Sequence, residues 1–212
     1  MARAPYSSIR RAAAAAETRE AILVSARWLF AARGYGAVTV AAIAKAAQVA
    51  VPTVYASAGN KAQILRELIG LAENAPGVDA MVREMAHETD PEAVIAIAVA
   101  VSRQINEEYF DLLRVIAQAA PAFEEAAAAW ASGLAGARQA CQRTASVLAR
   151  RHVLAAGISK SAAGNSLTVL LHPRTWLTLV EQLGWSWDRA EEWQRGAACR
   201  LILASESDPR SE

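Results

Sequence analysis

Between Ile22 and Ile69 the chain spells short amphipathic segments broken by a tight turn, and no other stretch limits its fold as closely. In the run from Ile22 to Gly34, Ile22, Ala26, Leu29 and Phe30 fall at i, i+4, i+7 and i+8, which is one apolar stripe of a helix. Gly34 stands where a left-handed residue ends such a helix at little cost. Thr39 is placed as the N-cap of a second helix whose inner face is Val40, Ile43, Ala44 and Ala47. A turn at Ala47-Gln48-Val49 leads into Val51-Pro52-Thr53-Val54-Tyr55. Asn60, with Gln63 three residues on, has the spacing of a capping box, and the helix it opens would bury Ile64, Leu65, Leu68 and Ile69. Short helix, three-residue turn, short helix is the helix-turn-helix plan.

The rest of the 212 residues supports an all-α fold: an N-terminal helix-turn-helix head of three helices followed by a C-terminal helical bundle. About a quarter of the residues are Ala, joined by Leu, Glu, Arg and Gln, a strongly helix-favouring mixture. The β-branched residues do not alternate as strands require. The expected divisions are a flexible arm at 1–16, the head at 17–70, a bundle at 71–205 and a tail at 206–212.

Net charge is only +1 but unevenly spread. Residues 1–70 hold nine basic side chains against three acidic, a net +6, and the remainder holds thirteen against eighteen, a net −5. A basic head suits a polyanionic partner, because neutralising phosphates drives sequence-independent affinity. Cys141 and Cys199 lie far apart in apolar helical surroundings and read as core filler. No apolar run approaches the ~20 residues that span a bilayer. The basic N-terminus lacks a signal-type apolar core, so a cytoplasmic protein without a membrane partner is expected.

The string Leu29-Phe30, Gly34-Tyr35, Val38-Thr39-Val40, Ile43-Ala44, Ala47-Gln48-Val49, Thr53-Val54-Tyr55, Asn60-Lys61 and Ile64-Leu65 resembles the DNA-binding head of the TetR family of transcriptional regulators. The resemblance covers about residues 17–70 and rests on joint order and spacing. It implies an all-helical homodimer, a double-stranded DNA operator, and a divergent C-terminal body that binds a small-molecule effector, usually to relieve repression. It further implies that Thr39, Tyr55 and Lys61 meet DNA phosphates and that Val51, Pro52 and Thr53 face base edges; contacts from outside the recognition helix are open to Arg10, Arg11 or Lys45. Thr39 and Asn60 would also serve as plain helix caps, and Tyr55 as core.

Three positions depart from the family pattern. Gln48 stands where Gly is common in the turn, Ala50 where Ser or Thr caps the recognition helix, and Ala58 where a larger residue fills the head. Packing would then lean on Trp28, Phe30 and Tyr35. Between Ala50 and Ala58 there is no Arg, Lys, Asn or Gln. Strong bidentate contacts to guanine or adenine are therefore unavailable from this helix. Thymine-methyl packing, hydroxyl contacts and DNA shape remain.

Beyond the head, a break near Pro76-Gly77 precedes a helix from Asp79 to Glu88. Asp90-Pro91-Glu92 starts the next, which runs to Gln104 or beyond, and another spans Glu108 to Ala119. Pro121 begins a long helix containing Gly133 and Gly136, with Phe123, Ala127, Trp130, Leu134, Ala137, Cys141, Thr144 and Leu148 at 3–4 spacing. Ser159 caps a helix to about Leu171, His172-Pro173 interrupts, and Gly184-Trp185-Ser186 precedes a final helix from Trp187 to Leu203. Trp193, Ala197, Leu201 and Ala204 form its expected apolar face. The stretch from Leu171 to Leu203 resembles one broad TetR subgroup, in which such late helices pair across a two-fold axis.

Candidates for lining an effector pocket are Met81, Met85, Gln104, Tyr109, Phe110, Phe123, Trp130, Asn165 and Trp176. Gln104 and Asn165 are the more telling, since a polar group on an apolar face costs free energy without a partner. The expected ligand is apolar, aromatic or acyl. His87, His152 and His172 form no metal-binding pair, and no nucleotide loop or Gly-x-Ser-x-Gly elbow is present. An enzyme, a metal site and a cofactor are therefore not expected. The alternative to a regulator is a helical scaffold, or a regulator-like protein that no longer reads DNA.

Overall fold

A computed structural model describes residues 5–75 and 77–204, with the side chains of 5–9 and 73 excepted. The ends of the expected arm and tail (1–4 and 205–212) and Pro76 lie outside the described residues. The described elements are helical, and no strand is formed among them beyond an isolated antiparallel bridge between Leu154 and Leu203. None of these helices is by itself long and apolar enough to cross a membrane.

The helices are α1 (Pro5–Arg33), α2 (Val40–Ala46), α3 (Val51–Ala58), α4 (Lys61–Glu73), α5 (Val78–His87) and α6 (Pro91–Glu108). They continue as α7 (Phe110–Ala119), α8 (Glu124–Arg150), α9 (Lys160–Leu170), α10 (Pro173–Leu177) and α11 (Trp187–Ile202). A π-helical turn, Thr178–Gln182, follows α10. The described residues fall into two compact units: those up to 71 with 114–130, and those of 72–113 with 131–204.

The first unit is built as its sequence directs. Ile22, Ala26, Leu29 and Phe30 of α1 are buried with Ile43 and Ala44 of α2, Val54 and Ala58 of α3, and Ile64, Leu65, Leu68 and Ile69 of α4. Thr39 Oγ1 accepts from Ala42 N at 3.1 Å. The capping box closes in both directions: Asn60 Oδ1 accepts from Gln63 N at 2.9 Å, and Gln63 Oε1 accepts from Asn60 N at 2.8 Å. Gly34 ends α1 with φ +76°. Arg19 bridges α1 to Glu67 of α4, its Nη2 donating at 2.7 Å, and also donates to the Ser57 carbonyl at the end of α3. One expectation fails. Trp28 is 59% exposed, because the register that buries Ile22, Ala26, Leu29 and Phe30 turns it outward with Val24.

The second unit surrounds Val94, Ile95 and Val99 of α6, Cys141, Ala145 and Leu148 of α8, Leu167 of α9, Trp176 of α10 and Ala197, Ala198 and Ile202 of α11. Asp90 and Ser159 cap their helices as expected, accepting from Glu92 N and Ala162 N, and Ser186 caps α11 by accepting from Arg189 N. Pro121, however, lies in a turn and the long helix begins only at Glu124. The face of α11 buried within the chain is Ala190, Gln194, Ala197, Ala198 and Ile202, while Trp193 and Leu201 of its apolar face are exposed.

His172 caps α10, its Nδ1 accepting from Arg174 N at 3.0 Å, which requires that nitrogen unprotonated. Burial first, and then the Arg174 charge, hold the imidazole below its ordinary value of 6.5. The neutral cap is fully effective above pH ~6.5 and loses its contribution as the pH falls through that value toward the depressed folded pKa. Replacing His172 by Asn, which caps without titrating, is expected to lessen the acid loss of stability. Urea midpoints at pH ~5 and ~8 read this, since that window brackets the titration.

Candidate nucleic-acid interface

Between α2 and α3 the chain turns by 99° across residues 47–50, within the range of about 90–120° for a helix-turn-helix. The turn is held by Gln48 N donating to Lys45 O at 3.3 Å and Val49 N to Ala44 O at 3.0 Å. Gln48 adopts φ +57°, a left-handed conformation costing a non-glycine residue ~1–2 kcal/mol. Ala50 occupies the N-cap of α3 with no side-chain hydrogen bond. Gln48→Gly and Ala50→Ser are each expected to stabilise the head by about 1 kcal/mol. Shifts in the thermal midpoint of each variant measure this, and an unchanged midpoint would refute it.

One side of α3 is buried and the other is bare. Val54 and Ala58 pack inward, whereas Val51, Pro52, Tyr55 and Ala56 are exposed and Thr53 is half-buried. Thr39 and Lys45 are exposed on α2. Thr39 Oγ1 accepts the cap bond, which leaves its O–H free to donate outward. Tyr55, 54% exposed, lines an open cleft of about 500 Å³ with Arg19, Gln63 and Arg66. This surface joins hydroxyl donors, cations and apolar side chains, and no Arg, Lys, Asn or Gln lies on α3 itself.

Lys61, at the start of α4, is half-buried. Its Nζ donates to the Tyr35 carbonyl at 3.2 Å and stands 4.1 Å from the centre of the Tyr35 ring. The Tyr35 hydroxyl donates to Glu125 Oε1 at 3.0 Å. Burial first, and then this bond and the Glu125 charge, push the phenol up. Glu125 is held below the usual carboxylate value by its own backbone amide, then by the Tyr35 hydroxyl and the Lys61 charge. Nothing in the sequence pattern singled out Glu125, ninety residues from Tyr35.

The effector candidates fall in both units. Phe123 and Trp130 belong to the first unit, where Phe123 meets the Tyr35 ring edge-on at 5.5 Å. Phe110 and Trp176, in the second unit, both contact Trp187, at 5.4 and 5.3 Å. Tyr109 and Met85 are buried, and Gln104 and Met81 are half-buried. Asn165 is exposed on α9 and accepts from Gln142 Nε2 at 3.2 Å, so it is not an inward-facing amide. The buried amides are instead Asn106, which donates to Ser102 O at 2.8 Å, and Gln194. Gln194 is fully buried and neither its Nε2 nor its Oε1 has a hydrogen-bond partner among the described residues. Its i−4, i+3 and i+4 neighbours Ala190, Ala197 and Ala198 were the sequence signal for it. Among the described residues no three His, Cys, Asp or Glu side chains gather where they could hold a metal ion.

A head of this kind followed by a helical body is the architecture of helix-turn-helix regulators. Residues 22–68 match the sequence model of the bacterial regulatory proteins of the tetR family, and the chain has the TetR-family regulator fold, as the resemblance implied. NalD of Pseudomonas aeruginosa, the secondary repressor of the MexAB-OprM multidrug efflux pump, is similar at 21% identity and a TM-score of 0.70, over 89% of this chain and 98% of that one. The fatty acid degradation regulator FadR of Bacillus halodurans is similar at 20% identity and 0.67, over 85% and 93%. FadR of Bacillus subtilis, in complex with stearoyl-CoA, is similar at 16% identity and 0.70, over 84% and 96%. No curated protein sequence matches the chain.

Proposed function

We propose that this chain is a cytoplasmic, homodimeric transcriptional repressor whose operator binding is relieved by a small, largely apolar effector. The observation that carries the reading is the complete α2–α3 pair, bent by 99°, with Val51, Pro52 and Tyr55 exposed on its outer side. Thr39, Lys45, Tyr55 and Lys61 contact phosphates, which fix register without reading sequence. Val51, Pro52 and Thr53 meet the major-groove edge, so discrimination per base pair is weak and DNA shape contributes much of it.

The dimer is supported by the second unit's large exposed apolar residues, Val169, Leu183, Trp193 and Leu201, all of which lie between α9 and the end of α11. Such side chains at the surface mark an association face. Two heads about one helical turn apart, roughly 34–36 Å, reach successive major grooves. The effector reading is supported by the aromatic group of Phe110, Trp187 and Trp176, and by the acyl ligand of the B. subtilis FadR. A coupling of about 1–3 kcal/mol between effector and DNA lowers affinity about 5–150-fold.

The test is fluorescence anisotropy on duplex DNA across a salt series, with wild type and a Thr39→Ala, Tyr55→Phe variant. The reading expects log affinity to fall with log salt by about 0.9 per phosphate contact, and a shallower slope in the variant. Binding too weak to measure at low salt would overturn it and leave the helical protein that does not read DNA.

A further inference from the structure

Resting on the reading of Lys61 as a phosphate contact, we infer that Phe123 and Glu125, at the start of α8, hold the Lys61 ammonium against the head and compete with DNA for it. The partners form one cluster inside the first unit. Lys61 Nζ donates to the Tyr35 carbonyl at 3.2 Å, and lies 4.1 Å from the centre of the Tyr35 ring and 5.7 Å from that of Phe123. Phe123 packs edge-on to Tyr35, and Glu125 accepts the Tyr35 hydroxyl at 3.0 Å.

Every component of this cluster attracts a cation. Aromatic faces do so through their quadrupole, the carbonyl through its dipole, and Glu125 through its full charge. The carboxylate is ionised at neutral pH, since its own backbone amide, the Tyr35 hydroxyl and Lys61 all favour the charged form. An ammonium has three donors and no acceptor. One donor here is taken by Tyr35, and Glu125 offsets the charge that a phosphate would otherwise meet.

Phe123 is brought close by Gly36. A Cβ built at Gly36 would lie 2.6 Å from Phe123 Cζ, so any side chain there would displace the ring. The contact is therefore shaped from both sides of the sequence, by Gly34-Tyr35-Gly36 in the head and by Phe123-Glu124-Glu125 after the Pro121 turn. A displacement of residues 123–125 changes the charge the head offers to DNA and leaves the α2–α3 pair untouched. Phe123 and Glu125 are positioning residues that act through Lys61.

The experiment measures anisotropy of a fluorescein-labelled mixed-sequence duplex, since a phosphate contact needs no operator. Wild type, Lys61→Ala, Glu125→Gln, the double variant and Glu124→Gln are compared, with folding of each checked by far-UV circular dichroism. Gln at 125 still accepts the Tyr35 hydroxyl but carries no charge, and Glu124→Gln makes the same charge change one residue away. Glu125→Gln is expected to tighten binding roughly 3-fold and to steepen the salt slope by part of the ~0.9 of a whole phosphate contact, since Lys61 already makes that contact in part. Glu124→Gln is expected to change affinity less than about 2-fold, because an exposed charge is screened by salt. In the Lys61→Ala background, Glu125→Gln should give no more than Glu124→Gln.

An equal gain from Glu125→Gln with and without Lys61 would overturn the inference while the phosphate role of Lys61 stands. Binding of Lys61→Ala that equals wild type would overturn both.

Discussion

Replacing Trp176 by Ala should destabilise the second unit by ~3–5 kcal/mol, the cost of a large aromatic side chain removed from a packed core. Trp176 has no exposed surface, and its ring stacks on Trp187 at 5.3 Å. Its Nε1 donates to Ser102 Oγ at 2.9 Å, and Ser102 Oγ donates to the Leu171 carbonyl at 3.2 Å, so one indole ties α10 to α6. The loss is a large part of the ~5–15 kcal/mol that a domain commands. Trp176→Phe retains an aromatic ring and leaves Ser102 its bond to Leu171, so it should cost less, about 1–2 kcal/mol. Urea unfolding followed by far-UV circular dichroism checks both. Equal midpoints for wild type and Trp176→Ala would show that this indole does not anchor the core.

Replacing Gln194 by Met should have the opposite sign and stabilise the same unit by roughly 1–3 kcal/mol. Most substitutions in a core destabilise, so the sign alone is informative. Gln194 is fully buried on the face of α11 that holds Ala190, Ala197, Ala198 and Ile202. With neither amide atom hydrogen-bonded among the described residues, burial carries the desolvation cost of a donor and an acceptor with no return. Met keeps the length and flexibility of the side chain, so no cavity opens to obscure the result. The same urea experiment reads it. A lower midpoint in Gln194→Met would mean that the amide contributes bonds in the folded protein.

What the sequence disclosed follows from the range of the physics involved. Helix starts were legible because capping is local: Thr39, Asn60 with Gln63, Asp90 and Ser159 make the expected bonds with backbone amides three or fewer residues away. The left-handed turn residue at Gln48 and the uncapped Ala50 were likewise visible as departures from a local pattern. Side-chain direction was less legible in the alanine-rich helices. Trp193 and Gln194 are adjacent on α11, and only the small residues Ala190, Ala197 and Ala198 mark the buried side as that of Gln194. Trp28 was misplaced because a large aromatic residue reads as core even when the helix register exposes it. The attachment of Lys61 to Tyr35, Phe123 and Glu125 depends on pairs from 26 to 90 positions apart in sequence. No local period encodes such a contact.

The central claim, that α3 presents a DNA-reading face, is tested most directly by selecting fragments of the organism's own genomic DNA with the purified protein. A Val51→Glu, Thr53→Glu variant is run in parallel. The two carboxylates sit on the outer part of α3, away from buried Val54 and Ala58, and repel phosphate at any site. Enrichment by wild type of a palindromic sequence with half-sites about one helical turn apart, lost in the variant, is the predicted result. Recovery of the same fragments by both proteins, with no sequence enriched by wild type, would contradict it.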